Sequence, residues 1–230
     1  VITSTLQQEA SRKLGFSGSR TMRVAQSLYE GVDTGEGQVG LITYMRTDSV
    51  TLAEEALGEL RELIAGRYGA DNLPDKPRRY KTKSKNAQEA HEAIRPTSGK
   101  RLPENIRSRL TSDQARLYDL IWKRTVACQM IHATMDTVAV ELVPGGNADT
   151  PNVAAERDHR FRANGSVVRR PGFMTVYRED RDDSKSDPDA DNRLPEIAEG
   201  DRLPLHDVVL EQHFTEPPPR YTEASLVKEL

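Results

Sequence analysis

Residues 40–49 of the chain read GLITYMRTDS, and the interpretation of the first half of the sequence depends on this stretch. It continues a short apolar run, QVGLITY (38–44), which is the only part of the first half with the character of a β-strand. Side chains two residues apart in a strand point to the same side. The sequence therefore predicts that Tyr44, Arg46 and Asp48 face one cleft together.

Helical patterns flank this stretch, because apolar residues recur at helical spacing behind capping residues. Two of the helix starts, at Thr51 and Thr111, have the pattern of a capping box. The first two helices, joined by a tight turn that contains glycine, predict a helix-turn-helix pair. The four predicted helices and their capping residues are 3–14 (Thr3, Ser4 or Thr5), 19–30 (Ser19), 51–68 (Thr51 with Glu54) and 111–132 (Thr111 with Gln114).

Beyond about residue 133 the pattern changes to alternation of apolar and polar residues, which is typical of strands. The stretch MDTVAVELV (135–143) predicts one strand. Residues 153–177 predict two more, joined by a turn at Asn164 and Gly165. A further strand is predicted over 202–214.

The expected fold class is α+β, with three parts along the chain. A helical domain with the helix-turn-helix pair covers 1–132, a β-rich domain covers 133–213, and 214–230 begin a following helical domain. The acidic stretch EDRDDSKSDPDAD (179–191) is too polar to fold by itself. Its DPDADN lacks the glycine and the final glutamate of a calcium-binding loop.

Composition excludes several classes of protein. No apolar run approaches the about 18 residues of a membrane span, and the start has no secretory signal. The single cysteine, Cys128, excludes an intrachain disulfide and a CxxC zinc site, and it favours the reducing cytoplasm. The sequence contains no GxSxG, P-loop or HExxH motif. Because the chain begins with Val1 and ends inside a helical pattern at Leu230, we expect it to be a piece of a longer protein.

The net charge of −3 hides two halves of opposite sign. Residues 1–132 carry 21 Lys and Arg against 16 Asp and Glu, whereas 133–230 carry 12 against 20. The stretch KPRRYKTKSK (76–85) holds six basic residues and no acid, with Tyr80 in its middle. Two interpretations fit this stretch equally well. It is either a solvated loop or a strip that contacts phosphates and stacks Tyr80 on a base. The predicted DNA contacts in it are Arg78, Arg79, Lys81 and Lys83.

Tyr44 and Arg46 suit phosphoryl transfer to a tyrosine. A phenol with a pKa of about 10 is a poor nucleophile at neutral pH. A neighbouring guanidinium favours the phenolate and neutralises a bound phosphate. On spacing alone, however, a half-buried tyrosine above a surface salt bridge is the favoured interpretation, since Tyr-x-Arg occurs by chance in many strands.

A second cluster lies in NAQEAHEAIRPTS (86–98). His91 and Arg95 are four residues apart, so a short helix ended by Pro96 would present both on one face. On spacing alone, a surface His–Arg pair next to solvated acids is the favoured interpretation.

Five segments, in this order, resemble the central portion of the type IA DNA topoisomerases of bacteria. They are STLQQEASRKLGF, LITYMRTDS, AQEAHEAIRPT, LIWKRTVACQM and FTEPPPRYTEASLVKEL. The resemblance implies that Tyr44 is the nucleophile and that Arg46 positions and stabilises the scissile phosphate. It implies that His91 lies near the cleavage site and contacts DNA, with Asp48 as the partner that keeps it protonated. Arg95 is predicted to contact DNA as well.

The resemblance also implies the activity. Enzymes of this family relax negatively supercoiled DNA by cutting one strand through a 5′-phosphotyrosine, passing a second strand and resealing without ATP. The implied partner is a single-stranded segment of DNA, and the implied protein is a monomer of the bacterial cytoplasm and nucleoid, away from membranes. The family's Mg²⁺ is held by a domain that precedes this segment, so we expect no metal site here and no relaxation by the isolated piece.

Two alternative interpretations are kept open by the residues. A tyrosine recombinase also uses Tyr, Arg and His on DNA, but it forms a 3′-phosphotyrosine and carries its tyrosine near the end of a mainly helical domain. Tyr44 instead lies near the start, ahead of a β-rich half. The second alternative is a non-catalytic DNA-binding module in which Tyr44 is structural.

Overall fold

The computed structural model describes residues 1–35, 37–81, 91–143, 160–178, 194–204, 206–207, 209–215 and 217–229. The chain divides into two compact units. The helical unit comprises Val1–Ala133, Pro171–Asp183 and Arg220–Leu230, and the β unit comprises Thr134–Arg170 and Ser184–Pro219. The presence of both helices and strands agrees with the predicted α+β class.

In its described residues, the helical unit contains six helices and a very short β-ribbon. The helices are α1 (Thr3–Leu14), α2 (Gly18–Glu30), α3 (Glu54–Tyr68), α4 (Pro103–Ile106), α5 (Ser112–Ala127) and α6 (Glu223–Glu229). The ribbon pairs β1 (Val32–Asp33) with β2 (Gln38–Val39). Short 3₁₀ turns cover Ala70–Asn72, Arg107–Arg109 and Gly172–Thr175.

The predicted helix ends at glycines are confirmed, and one predicted start is confirmed as well. α1, α2 and α3 end at Gly15, Gly31 and Gly69, of which Gly15 has the left-handed φ of 66° that favours glycine. α5 begins with the predicted capping box of Thr111 and Gln114, although it ends at Ala127 rather than near residue 132.

The other three predicted caps are wrong. α1 begins after Ile2 without a side-chain cap, and α2 is capped by Ser17, whose hydroxyl accepts from the Arg20 N–H at 3.2 Å. α3 begins after Ala53, whose N–H donates to the Glu92 carboxylate at 2.6 Å. A partner distant in sequence thus takes the place of the local Thr51.

The core of the helical unit lies where α1, α2 and α5 pack together. Among the buried side chains of these helices are Leu6, Ala10, Ala25, Leu28, Leu117, Ile121 and Val126. One charged side chain, that of Glu9, is buried with them. It accepts a hydrogen bond from the Tyr177 hydroxyl and forms an ion pair with Arg124 at 3.4 Å, and these contacts offset the cost of burying its charge. α6 packs against α1, and the Gly18 N–H donates to Glu223 at 2.6 Å.

The predicted strand over 38–44 is mostly wrong. Only Gln38–Val39 belong to a ribbon, and the following described residues join no sheet. They make one isolated bridge, between Ile42 and Pro96. The reason is that the backbone of Leu41 and Thr43 bonds to Leu28, Arg95 and Thr97, none of which lies in a strand.

Among its described residues, the β unit contains one antiparallel pair, β3 (Thr134–Leu142) with β4 (Phe161–Arg170). The prediction of β3 is confirmed, but the predicted turn at Asn164 and Gly165 is wrong. Both residues lie inside β4, where they pair with Ala139 and Val138. Continuous pairing with β3 satisfies the backbone of β4, and this overrides the local turn preference of Asn-Gly.

The strand predicted over 202–214 is wrong for the residues that the structure describes there, which have no strand partner. The acidic stretch 179–191 and its calcium-like DPDADN lie outside the described residues. In the described part of the chain, no helix combines the length and apolar character that crossing a membrane requires.

Candidate functional site

The two motifs singled out from the sequence lie side by side. The Thr43 N–H donates to the Arg95 carbonyl at 2.9 Å, and the Thr97 N–H donates to the Leu41 carbonyl at 3.0 Å. The Thr43 hydroxyl donates to the Ala93 carbonyl at 2.7 Å and accepts from the Arg95 N–H at 2.9 Å. These bonds join residues 93–97 to the Tyr44 segment, and 91–97 include no helical turn, so the predicted short helix carrying His91 and Arg95 is wrong.

Thr3 fixes the other side of the Tyr44 segment. Its N–H donates to the Thr47 carbonyl at 3.0 Å, and its hydroxyl accepts from the Thr47 N–H at 2.8 Å and donates to the Met45 carbonyl at 2.9 Å. The predicted capping residue Thr3 therefore serves as an anchor. It holds the backbone on both sides of Arg46.

Burial alternates along the anchored segment. Met45, Thr47 and Ser49 are buried, whereas Tyr44, Arg46 and Asp48 are exposed. Apolar and hydroxyl side chains face the core here, so the phenol, guanidinium and carboxylate are left on the solvent side. All three predicted site residues are thus exposed, although the segment is not a strand of a sheet and bends at Thr43, Met45 and Arg46.

The Tyr44 ring lies between two other aromatic rings. Its centroid is 5.4 Å from that of Tyr29 with an interplanar angle of 67°, and 6.3 Å from that of His91 with an angle of 66°. Both contacts are edge-to-face, which aromatic rings prefer over flat stacking. The structure therefore brings Tyr44 and His91 together and adds Tyr29, which sequence reasoning did not assign to the site.

Other predicted site contacts are not formed. Although Asp48 and His91 are both described, no ion pair joins them. Within the described residues, the Tyr44 hydroxyl and the Arg46 guanidinium have no hydrogen-bond partner. The roles assigned to Arg46, Asp48 and His91 stay predictions.

Arg95 is held by groups of the protein itself. Its guanidinium donates to both oxygens of Glu92, at 2.9 and 3.3 Å, and to the Pro96 carbonyl at 2.9 Å. The side chain is only 13% exposed. Because Glu92 also accepts from the Ala53 N–H, Arg95 links the motif containing His91 to the start of α3. Its predicted contact with DNA stays a prediction.

The described part of the basic stretch is attached to the C-terminal end of α5. The Gln129 side chain accepts from the Arg78 N–H at 3.1 Å and donates to its carbonyl at 3.0 Å. The Arg78 guanidinium donates to His132 at 2.6 Å. The Tyr80 hydroxyl donates to the Cys128 carbonyl at 2.7 Å, and partial burial raises the pKa of Tyr80.

The remaining basic residues of this stretch differ in their surroundings. Arg79 pairs with Glu54 at 2.6 Å, with both side chains largely exposed, and Lys81 is exposed. Lys83 lies outside the described residues. Tyr80 is half-exposed, so its ring remains accessible beside these cations.

A metal ion needs several oxygen, nitrogen or sulfur ligands that converge on one point. Across the described ranges, no group of three or more His, Cys, Asp or Glu side chains has this arrangement. The sequence resemblance assigns the family's Mg²⁺ to a domain that precedes this segment, and the expectation of no metal site in this chain stays a prediction.

Known proteins resemble this chain over its full length. The profile of the DNA topoisomerase family matches residues 1–230. DNA topoisomerase 1 of Xylella fastidiosa (strain Temecula1) is 55% identical over 231 residues, covering 100% of this chain and 27% of that protein. DNA topoisomerase 1 of Rickettsia bellii (strain RML369-C) is 51% identical over 229 residues, with the same two shares.

A solved structure supports the same relationship. The full-length topoisomerase I of Thermotoga maritima matches 100% of this chain and 34% of its own chain, with a TM-score of 0.69 and 35% sequence identity. The chain spans about a quarter of the length of the curated relatives above, 27% in each case. Since the family profile matches every residue from 1 to 230, the chain belongs to the DNA topoisomerase family.

Proposed function

We propose that this chain carries the nucleophile of a type IA DNA topoisomerase, and that the nucleophile is Tyr44. The observation that carries the proposal is the position of the Tyr44 ring, which is 43% exposed and contacts the rings of Tyr29 and His91. A nucleophile must be reachable by its substrate and held in a defined geometry. Membership of the family supports the substrate class, DNA.

The reaction proposed for Tyr44 is a reversible transesterification. The phenol oxygen attacks the phosphorus of one DNA strand and loses its proton. The bond from phosphorus to the 3′ oxygen breaks, and that oxygen leaves as a hydroxyl after taking a proton. One phosphodiester is exchanged for another, so the reverse attack by the 3′-hydroxyl reseals the strand without ATP.

Arg46 is proposed to bind the phosphate that Tyr44 attacks. Its guanidinium is permanently charged and has two or more N–H groups to offer to phosphate oxygens. Its exposed position two residues after Tyr44 supports this role. His91, whose ring touches that of Tyr44, is proposed to contact the DNA beside the cleaved bond, and Asp48 to keep it protonated once DNA is bound.

The basic stretch is proposed to guide the single strand. Tyr80 offers a ring face for stacking on a base, and the exposed cations of Arg79 and Lys81 attract the phosphates on either side. We also propose Arg78, Lys83 and Arg95 as contacts, although the first and last are engaged within the protein in the absence of DNA.

The whole protein is proposed to relax negatively supercoiled DNA as a monomer in the bacterial cytoplasm, with Mg²⁺ bound by a part outside this chain. The names of the relatives and the 27% share of their length support this arrangement. On this account, the isolated chain binds a single strand weakly and does not relax DNA.

The proposal is tested by Tyr44→Phe in the full-length protein, which removes the attacking oxygen and keeps the ring. We expect relaxation of supercoiled plasmid to fall at least about a thousandfold, as for other groups whose loss removes the covalent step. Tyr221→Phe, at another exposed tyrosine, is the matched control and leaves relaxation unchanged. Activity of Tyr44→Phe at the level of the control would contradict the proposal and support a structural Tyr44.

A further inference from the structure

We propose that Tyr29 is a positioning residue for Tyr44: its ring holds the Tyr44 ring in the orientation from which the phenol oxygen reaches the scissile phosphate. This inference rests on the proposed role of Tyr44 as the nucleophile. Tyr29 lies in the last turn of α2, eleven residues before the motif GLITYMRTDS. Three independent features of the structure connect it to Tyr44.

The first feature is a direct backbone link between the end of α2 and the Tyr44 segment. The Leu41 N–H donates to the carbonyl of Leu28 at 2.7 Å. Leu28 is fully buried, so this end of α2 is fixed in the core. The start of the Tyr44 segment is therefore bonded to a residue fixed in the core, Leu28, which directly precedes Tyr29 in α2.

The second feature is the close approach at Gly40. A Cβ atom at this position would lie 2.7 Å from the Tyr29 carbonyl oxygen, which is closer than real Cβ contacts allow. Glycine thus lets the segment pass directly against the backbone of Tyr29. This approach sets the separation between the two tyrosines.

The third feature is the ring contact itself. Tyr29 and Tyr44 meet edge-to-face at 5.4 Å, and Tyr44 meets His91 in the same way at 6.3 Å. An exposed side chain with one neighbour exchanges rotamers within nanoseconds. Contacts from two rings restrict the Tyr44 ring, and reaction needs the attacking oxygen within a narrow range of positions.

The test uses the full-length protein and a labelled single-stranded oligonucleotide. We expect Tyr29→Ala to slow single-turnover cleavage at saturating DNA about 5- to 30-fold, the size of a lost ring contact together with a displaced nucleophile. The Kd for the oligonucleotide stays within about twofold. Tyr29→Phe keeps the ring and cleaves within about twofold of the wild-type rate.

A second variant and a control separate positioning from misfolding. Tyr29→Leu keeps apolar bulk without a ring, and Gln26→Ala removes a neighbouring side chain of α2 that pairs with Glu30 rather than with Tyr44. We expect Tyr29→Leu to slow cleavage as much as Tyr29→Ala does, and Gln26→Ala to cleave at the wild-type rate. The Tm of each variant is expected to stay unchanged. Wild-type cleavage in both Tyr29→Ala and Tyr29→Leu would overturn the proposal, and so would equal impairment in Tyr29→Phe.

A spectroscopic measurement keeps this inference distinguishable from the proposed function. With 3-fluorotyrosine at position 44, the ¹⁹F signal is expected to change from one environment to an average or mixture in Tyr29→Ala. An unchanged signal would overturn the positioning role even if Tyr44 is the nucleophile. An active Tyr44→Phe would overturn the proposed function, whatever the ¹⁹F signal shows.

Discussion

The surroundings of individual tyrosines differ in a way that bears on their chemistry. The hydroxyls of Tyr80 and Tyr118 donate to the carbonyls of Cys128 and Arg101, at 2.7 and 2.8 Å, and burial raises the pKa of both phenols. A phenol in this situation is fixed and harder to ionise. Tyr44 is instead restrained through its ring, which leaves its oxygen available for a substrate.

The carboxylate of Glu59 contributes to the dependence of stability on pH. Burial raises its pKa, but hydrogen bonds from the Ser98 hydroxyl and the backbone N–H groups of Gly99 and Lys100 outweigh burial, so the net pKa lies below the ordinary 4.5. A lowered folded-state pKa gives stability that is present above 4.5 and is lost as the pH falls through the folded value.

We therefore expect the free energy of unfolding of this chain to fall below pH 4.5, with less fall in Glu59→Gln. Urea unfolding at pH 7, 5, 4 and 3 measures this slope. Glu62→Gln is the control, since Glu62 makes only an exposed ion pair with Lys100. Equal slopes in wild type and Glu59→Gln would contradict the assignment.

In the segment 91–97, a local preference for helix competes with hydrogen bonds to residues distant in sequence. The i, i+4 spacing of His91 and Arg95 is compatible with a helix, yet the segment forms no helix and bonds to residues 41–51. Glu92 gains a distant partner from this arrangement, the Ala53 N–H, beside its local partner, the Arg95 guanidinium. Sequence spacing contains no information about the Ala53 contact, because the two residues are 39 positions apart.

Arg95 is expected to act on stability more than on DNA. Arg95→Ala removes charge-assisted hydrogen bonds from a site that is 13% exposed, so we expect a loss of about 2–3 kcal/mol in the free energy of unfolding. Urea unfolding measures it, with exposed Lys81→Ala as a control that stays within about 0.5 kcal/mol. Unchanged stability of Arg95→Ala with a large loss of single-strand affinity would assign Arg95 to DNA instead.

The predictable elements are those with local causes. The capping box at Thr111 and the glycine ends of α1 to α3 depend on residues within one turn, and they are confirmed. Asn164 and Gly165 have the local chemistry of a turn, but pairing with β3 decides their conformation. Long-range pairing therefore explains both the wrong turn and the wrong cap at Thr51.

The candidate site was predictable where a motif carries it. Tyr44, Arg46 and His91 stand in motifs that resemble a known family, and the structure brings Tyr44 and His91 into contact. Tyr29 has no such motif. The contact of Tyr29 with Tyr44 depends on the close approach of Gly40 to the end of α2. The sequence signal for it was a tyrosine in the last turn of a helix, before a connection rich in glycine.

At the scale of the molecule, the helical unit is assembled from three separate parts of the chain. Residues 1–133, 171–183 and 220–230 form it, so α6 packs on α1 across nearly the whole sequence. The β unit is formed by two segments, Thr134–Arg170 and Ser184–Pro219, that are inserted between these parts of the chain. The net positive charge of the first half belongs to the unit that contains Tyr44, which suits a role at the DNA backbone.

The identity of the DNA-linked atom tests the central claim most directly. The full-length protein is trapped on an oligonucleotide, digested with nuclease and trypsin, and analysed by tandem mass spectrometry. The tryptic peptide 24–46 contains both Tyr29 and Tyr44, so its fragment ions assign the linkage. The account predicts a 5′-phosphate on Tyr44, whereas a linkage at Tyr29 or elsewhere, or through a 3′-phosphate, would contradict it.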